Sequence, residues 1–476
     1  MTNVLTVDLG AESGRVMSLQ LDDNHLRLDE VHRFQNVPVK VRDTLHWDIL
    51  RLWHDIQMGI GKGKVNATSV GIDTWAVDFA LLDASGDLLA NPVHYRDQRT
   101  LGMTEWVNER VDQRTIFKRT GIQYMSVNTL FQLASIVVKN PALFEQASYF
   151  LTIPDLINYW MTGSYVSEFT NATTTQCFNI SQRDWDKQTL EILGVPTRIF
   201  PDVIEPGTLV GDYNGLKVIA PACHDTASAV AALPTTHKEV AFLSSGTWSL
   251  LGIEVKEPIL TDEAYTVNVT NEGGVFGTIR LLKNVMGLWL AQQSRLSWER
   301  QGKLYTYEEL TQLAIASEPF VSWVDPDDTA FLRPANMPEQ IRSYCKRTGQ
   351  AVPESVGQIM RTIYESLALK YRIVLDQLTS LTQKPVHALH IVGGGSQNDL
   401  LNQMTANATG IPVIAGPVEA TALGNGIMQF IALGELNDLS DARALIENSF
   451  ALKTFEPQDE DQWDEMVHQF NNRITS

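Results

Sequence analysis

An α/β protein built from two related halves is what this sequence predicts, and three observations carry the prediction. Strands hand over to helices through short polar turns at several points, the pattern of sheets covered by helices. Two turns of matching design, Asp8-Leu9-Gly10-Ala11-Glu12-Ser13 and Ser244-Ser245-Gly246-Thr247-Trp248-Ser249, lie nearly half a chain apart. Each follows an apolar strand and leads into an apolar return strand, so each reads as the turn of a β-hairpin. Between them the strand Lys217–Ala220 breaks at His224-Asp225-Thr226 and passes into a small-residue helix through Leu233. That junction aims a carboxylate into the crevice where α/β sheets bind ligands.

Composition narrows the function classes. The 476 residues are enough for two or three domains. With 44% hydrophobic and 20% charged residues the chain reads as ordinary and globular. Lys+Arg 37 against Asp+Glu 56 gives a net charge of -19, which disfavours nucleic acid and anionic membranes as partners. An anionic nucleotide stays open, because local backbone dipoles and a bound Mg²⁺ outweigh a distant net charge. Cys177, Cys223 and Cys345 lack metal-ligand spacing, and their odd number fits a reducing compartment. The opening MTNVLTVDLG has no basic segment and runs directly into a strand, so no signal peptide is expected. No apolar run is long enough to span a bilayer, and the expected location is the cytoplasm.

The elements follow in order. Val4–Val7 and Val16–Leu21 are the strands of the first hairpin, and the matching turn predicts a duplicated hairpin at the start of each half; two unrelated hairpins would read alike. Gly59-Ile60-Gly61-Lys62-Gly63-Lys64 lacks phosphate-loop spacing and reads as a helix C-cap and loop. Ser69–Leu82 alternates as strands broken at Asp73-Thr74. His94-Tyr95-Arg96-Asp97-Gln98-Arg99 is either a loop beside the site or a solvated turn. Phe169–Thr175 reads as a buried connection with polar side chains facing inward.

The Glu239–Leu243 strand enters the Ser244–Thr247 turn, whose N–H groups and hydroxyls suit a phosphate. A carboxylate at Asp225 and this cradle together suggest phosphoryl transfer to a hydroxyl. Asn284 stands near the start of helical spacing that begins at Val285, where Asn commonly caps. Val356–Leu378 is a long amphipathic helix with Ile359, Ile363, Leu367, Tyr371, Val374 and Leu378 on one face. The strand Ala388–Val392 ends in Gly393-Gly394-Gly395, where backbone can lie flat against a ligand. Glu419–Phe430 is a further helix, and the acidic tail around Trp463 reads as a surface helix.

The segments VDLGAESGRVM, GIDTWAVDF, YRDQRT, GIQYMSVNTLFQL, FTNATTTQ, HDTASAV, LSSGTWSL, VTNEGG, LKNVMGLWL, HIVGGGSQN and AGPVEATALGN together resemble the FGGY carbohydrate kinases over nearly the whole chain. The resemblance implies two ribonuclease-H-like domains around a central cleft, residues 1–235 mostly for sugar and 236–476 mostly for ATP. It implies an ATP- and Mg²⁺-dependent kinase acting on the primary hydroxyl of a ketose, L-rhamnulose ahead of L-fuculose or L-xylulose. Asp225 becomes the proton acceptor, and the alternative for it is the N-cap of its own helix. Ala76, His224, Thr226 and Asn284 would contact the sugar. Ala11, Glu12, Ser13, Gly14 and Arg15 would form the first phosphate loop, Thr247 the second, with Gln292 and Gly394 lining the nucleotide. Asp8 resembles the carboxylate that holds Mg²⁺ through water. Ala76 departs from the pattern, which carries Gly there, and that bears on which ketose is preferred. A monomer or homodimer is implied, with closure driven by the sugar. A non-catalytic sugar- or nucleotide-responsive switch on the same fold is the rival reading, and the joint presence of Asp8 and Asp225 argues against it.

Overall fold

A computed structural model describes residues 2–475. The first sheet has six strands: β1 (Thr2–Leu9), β2 (Ser13–Asp22), β3 (His25–Gln35), β4 (Ser69–Thr74), β5 (Thr208–Tyr213) and β6 (Leu216–Ala220). Their order is β5-β6-β4-β1-β2-β3. The hairpin β1–β2 is antiparallel with Asp8 opposite Arg15, and β4 and then β6 add to β1 in parallel. The second sheet contains β7 (Val240–Ser245), β8 (Ser249–Val255), β9 (Thr270–Gly273), β10 (Ile279–Val285), β11 (Ala388–Val392), β12 (Val413–Ala415) and β13 (Lys453–Phe455). Its order is β9-β10-β8-β7-β11-β12-β13. Here too an antiparallel hairpin, β7–β8, is followed by two parallel additions, β11 and β12. The shared topology agrees with a duplicated hairpin.

Local rules explain the helices. Helix α1 (Ile49–Gly63) starts at Asp48, whose side chain accepts from the Arg51 N–H. Gly59, Gly61 and Gly63 lie inside it, so the expected loop there is helix instead. A side chain at Gly59 would strike Val16 of β2, and that close approach accounts for the glycine. Helix α2 is the wholly buried Phe169–Thr174, where a connection was expected. The junction helix is α3 (Asp225–Ala231), and α4 spans Trp289–Glu299. The longest helix, α5 (Val356–Thr382), opens on a capping box between Ser355 and Gln358. All six residues expected on its apolar face are buried, each contributing about 1.5–3 kcal/mol. Helix α6 is Ala420–Leu433. The tail forms α7 (Glu460–Thr475), which is more than a surface helix because Trp463 and Phe470 are buried.

Packing does not divide the chain into two consecutive halves. One compact unit holds the chain up to Thr236 together with Glu254–Leu281 and Glu419–Phe450. The other holds His237–Ile253, Leu282–Val418 and the chain from Ala451. The returns have specific partners. On α6, Gln429 donates to the Leu5 carbonyl of β1 at 2.9 Å and accepts from Ser69 Oγ of β4 at 2.6 Å. In the other return, Asn271 Nδ2 donates to the Gly121 carbonyl at 3.1 Å, and Thr173 Oγ1 accepts the Gly273 N–H at 2.8 Å. Residues so far along the chain are read as part of the local half until those partners are known.

Candidate active site

The C-terminal ends of β1, β4 and β6 meet. The Trp75 N–H donates to the Leu9 carbonyl at 3.2 Å and the Thr74 N–H to the Cys223 carbonyl at 2.9 Å. Asp8, Asp73 and Asp225 thereby gather at one edge of the first sheet, close enough that Asp8 and Asp225 both raise the pKa of Asp73. Burial is the larger cause and holds the Asp73 carboxyl well above the carboxylate range, against a hydrogen bond from Asn425 at 2.7 Å.

Asp225 opens α3 as expected, but it is not the N-cap; that position is His224. Its carboxylate keeps 31% exposure. Oδ1 takes every contact: the Thr226 N–H at 2.5 Å, the Thr226 hydroxyl at 3.2 Å and His224 Nε2 at 3.4 Å. Oδ2 has no such partner among the described residues and is left for a ligand. Burial raises the Asp225 pKa, His224 pulls it down, and Asp8 pushes it further up. The strand end is braced by α2 and the residue before it: Glu168 accepts the Cys223 N–H at 3.0 Å, and Thr170 Oγ1 accepts the His224 N–H at 3.1 Å.

Ala76 sits in a loop from Trp75 to Asp78, so the break in Ser69–Leu82 falls after Asp73-Thr74. Ala76 is not among the positive-φ residues, whereas Val77 has φ 67. A Cβ at residue 76 therefore meets no backbone penalty, and the strain sits next door at a β-branched residue. Thr129 Oγ1 and Gln132 Nε2 hold the Val77 carbonyl at 2.7 and 3.1 Å. Asp78 anchors the loop, accepting from Trp47 Nε1 at 2.6 Å, Trp75 Nε1 at 3.1 Å and the Tyr95 N–H at 3.2 Å. His94 stacks on Trp47 at 4.1 Å. His94 to Asp97 are thus buried beneath this loop, while Gln98 is exposed and Arg99 half-buried, so the first four residues of the polar cluster are not a solvated turn.

In the first hairpin, Ala11 and Glu12 form the turn tip, and Asn36 fixes it by donating to the Gly10 carbonyl at 2.9 Å and to the Glu12 carbonyl at 3.0 Å. Ser13, Gly14 and Arg15 begin β2. Arg15 bridges carboxylates: it pairs with Asp8 Oδ2 at 2.7 Å and with Glu419. Burial works to lower its pKa, but Asp8 and Glu419 outweigh burial and hold it above the usual value. Among the described residues no group of three or more His, Cys, Asp or Glu is placed to hold a metal ion.

Thr247, Asn284, Gln292 and Gly394 belong to the second unit. The Thr247 turn is tied to α4, since the Trp289 N–H donates to the Thr247 carbonyl at 3.1 Å. Asn284 lies on β10 and not at a helix start, so capping does not explain it. Gln292 Oε1 is buried with no hydrogen-bond partner among the described residues. The three glycines after β11 divide by cause. A Cβ at Gly395 would collide with Ser245, and Gly393 has φ +83, whereas Gly394 faces open space. Gly394 and Gln292 fit a nucleotide on those grounds. Sequence reasoning missed Asp73, Glu272, Arg280 and Glu419; a charge inside the apolar run Ile279-Arg280-Leu281-Leu282 was the readable signal.

Models of the FGGY family of carbohydrate kinases match both parts of the chain, the N-terminal domain over residues 3–218 and the C-terminal domain over residues 241–433. A rhamnulokinase of Bacteroides thetaiotaomicron is 44% identical, covering 99% of each chain. A rhamnulokinase of Bacillus subtilis is 40% identical, over 96% of this chain and 95% of that one. Among solved structures, xylulose kinase from Lactobacillus acidophilus superposes with TM-score 0.81 at 16% identity, covering 99% and 97%. Plasmodium falciparum glycerol kinase with ADP gives 0.77 at 17%, covering 100% and 98%. The structures show the fold; the matched sequences show that this chain belongs to the FGGY family of carbohydrate kinases.

Proposed function

We propose that the protein transfers the γ-phosphoryl group of ATP to the terminal primary hydroxyl of L-rhamnulose, giving L-rhamnulose 1-phosphate, in the cytoplasm. The observation that carries the reading is 40–44% identity to rhamnulokinases along nearly the entire chain. Asp225 Oδ2 accepts the hydroxyl proton while the sugar oxygen bonds to phosphorus and the bond to the ADP oxygen breaks. The phosphoryl transition state is loose, so little proton transfer precedes bond breaking and a carboxylate suffices as base. His224, Thr226, Ala76 and Asn284 contact the sugar. The turn from Ala11 to Arg15, Thr247, Gln292 and Gly394 contact ATP. Asp8, whose carboxylate already shares one oxygen with Arg15, would hold Mg²⁺ through water. Mg²⁺ supplies charge neutralisation on the phosphates.

ADP release measured across L-rhamnulose, L-fuculose, L-xylulose, D-xylulose and glycerol tests the substrate. The highest kcat/KM is expected for L-rhamnulose and a near-background rate for glycerol. A higher value for L-fuculose or a xylulose would retract the substrate and leave the kinase. Because the Ala76 backbone is unstrained, Ala76→Gly is expected to reorder the ketoses, within the ~1–3 kcal/mol that small sugar contacts discriminate, while leaving the KM for ATP alone.

The pH profile has a definite sign. The base works only when ionised, so activity is lost as pH falls through its pKa. Burial and Asp8 hold that pKa above the ordinary Asp value, and the acidic limb of kcat/KM is expected above about pH 3.9. A flat profile down to that pH would contradict the assignment.

A further inference from the structure

We infer that Arg280 is a positioning residue for this transfer: through His224 it sets the ring tautomer that presents an Nε2–H to the Asp225 carboxylate. The inference rests on Asp225 as the base.

Arg280 is 0% exposed on β10. A buried guanidinium requires partners; Nη1 has none among the described residues, and Nε and Nη2 carry the contacts. Nε donates to the Gly273 carbonyl at 2.9 Å, and Nη2 lies 3.2 Å from Glu272 Oε2. The same Nη2 lies 3.1 Å from His224 Nδ1. Arginine donates and never accepts, so Nδ1 must supply the lone pair. A neutral ring then carries its proton on Nε2, the atom 3.4 Å from Asp225 Oδ1.

Glu272 sharpens the point. Its Oε2 lies 3.3 Å from His224 Nδ1 and, without Arg280, would draw the proton to Nδ1. The Nε2 lone pair would then face a carboxylate, and the Asp225 side chain would turn away. With Arg280 present, Oδ1 is held from the His224 and Thr226 sides, and Oδ2 is the oxygen aimed at substrate. Ring tautomers are commonly set by the hydrogen bond at the far nitrogen.

The test is ¹⁵N NMR of the full chain with labelled histidine, the His224 signals identified by their loss in His224→Gln. Wild type is expected to show a protonated Nε2 and an unprotonated Nδ1. Arg280→Met is expected to move the proton to Nδ1 and to lower kcat ~10²-fold, the cost of a misplaced catalytic group, with the KM for ATP unchanged. Arg280→Lys keeps a donor and is expected to recover part of kcat and the wild-type tautomer. Wild-type His224 protonated at Nδ1 overturns the inference, whether or not Arg280→Met folds. So does a folded Arg280→Met with kcat within about threefold of wild type. A kcat that survives Asp225→Asn removes the base itself; a wrong tautomer in a protein silenced by Asp225→Asn removes only Arg280.

Discussion

Asp225→Asn is expected to lower kcat by at least ~10²-fold, the usual contribution of a general base, with little change in the KM for ATP. The substitution keeps the shape of the side chain and its Oδ1 contacts to Thr226 and His224. What it removes is the ionisable oxygen proposed to accept the proton, on the carboxylate that opens α3. Initial rates at saturating L-rhamnulose and varied ATP separate kcat from KM. A variant keeping more than about a tenth of wild-type kcat would remove Asp225 as the base. The proposed nucleotide contacts lie on other residues, so a large rise in the KM for ATP would point to a structural role instead.

Gly424→Ala is expected to destabilise the protein although it adds only one methyl group. Inside a helix, Gly to Ala ordinarily stabilises by about 1 kcal/mol. At Gly424 the added Cβ would be driven into the Ser228 carbonyl oxygen of α3. Backbone cannot swing aside as a flexible side chain does, so α6 must lift from α3. Overpacking of this kind costs about 3 kcal/mol, outweighing the propensity gain. Displacing α6 also moves Asn425 away from Asp73 and Gln429 away from β1 and β4. Net of the propensity gain the loss is about 2 kcal/mol, a fall of roughly 4–8 °C in the first thermal transition at about 2–4 °C per kcal/mol. Gly61→Ala is the control: that glycine is also helical, but nothing lies within 4 Å of its added Cβ, so Tm is expected to hold or rise. Equal melting of Gly424→Ala and wild type would show that α6 does not pack as described.

Much of the site was legible because its chemistry is written in short contiguous segments. His224-Asp225-Thr226 at a strand–helix junction, the Ser244–Thr247 turn and the glycines after β11 each combine a polar or flexible residue with an apolar strand, and local sequence is enough to place them. The capping box at Ser355 and the six-residue face of α5 were equally readable, since helical periodicity is a local property. Asn284 shows the limit. The residues after it have helical spacing, yet β10 runs through it because strand pairing overrode the local pattern.

What the sequence by itself determined is the family, the duplicated hairpins, the junction at Asp225 and the carboxylate at Asp8. Tertiary structure alone decided that residues 254–281 and 419–450 pack with the first unit, because hydrogen bonds from Gln429 and Asn271 reach partners far away in sequence. It alone set Arg15 between Asp8 and Glu419, and Arg280 and Glu272 behind His224. The contacts at Asp225 Oδ1 come from its chain neighbours Thr226 and His224 and are local. The groups facing the far nitrogen of the His224 ring, however, arrive on strands distant in sequence, and only folding brings them there.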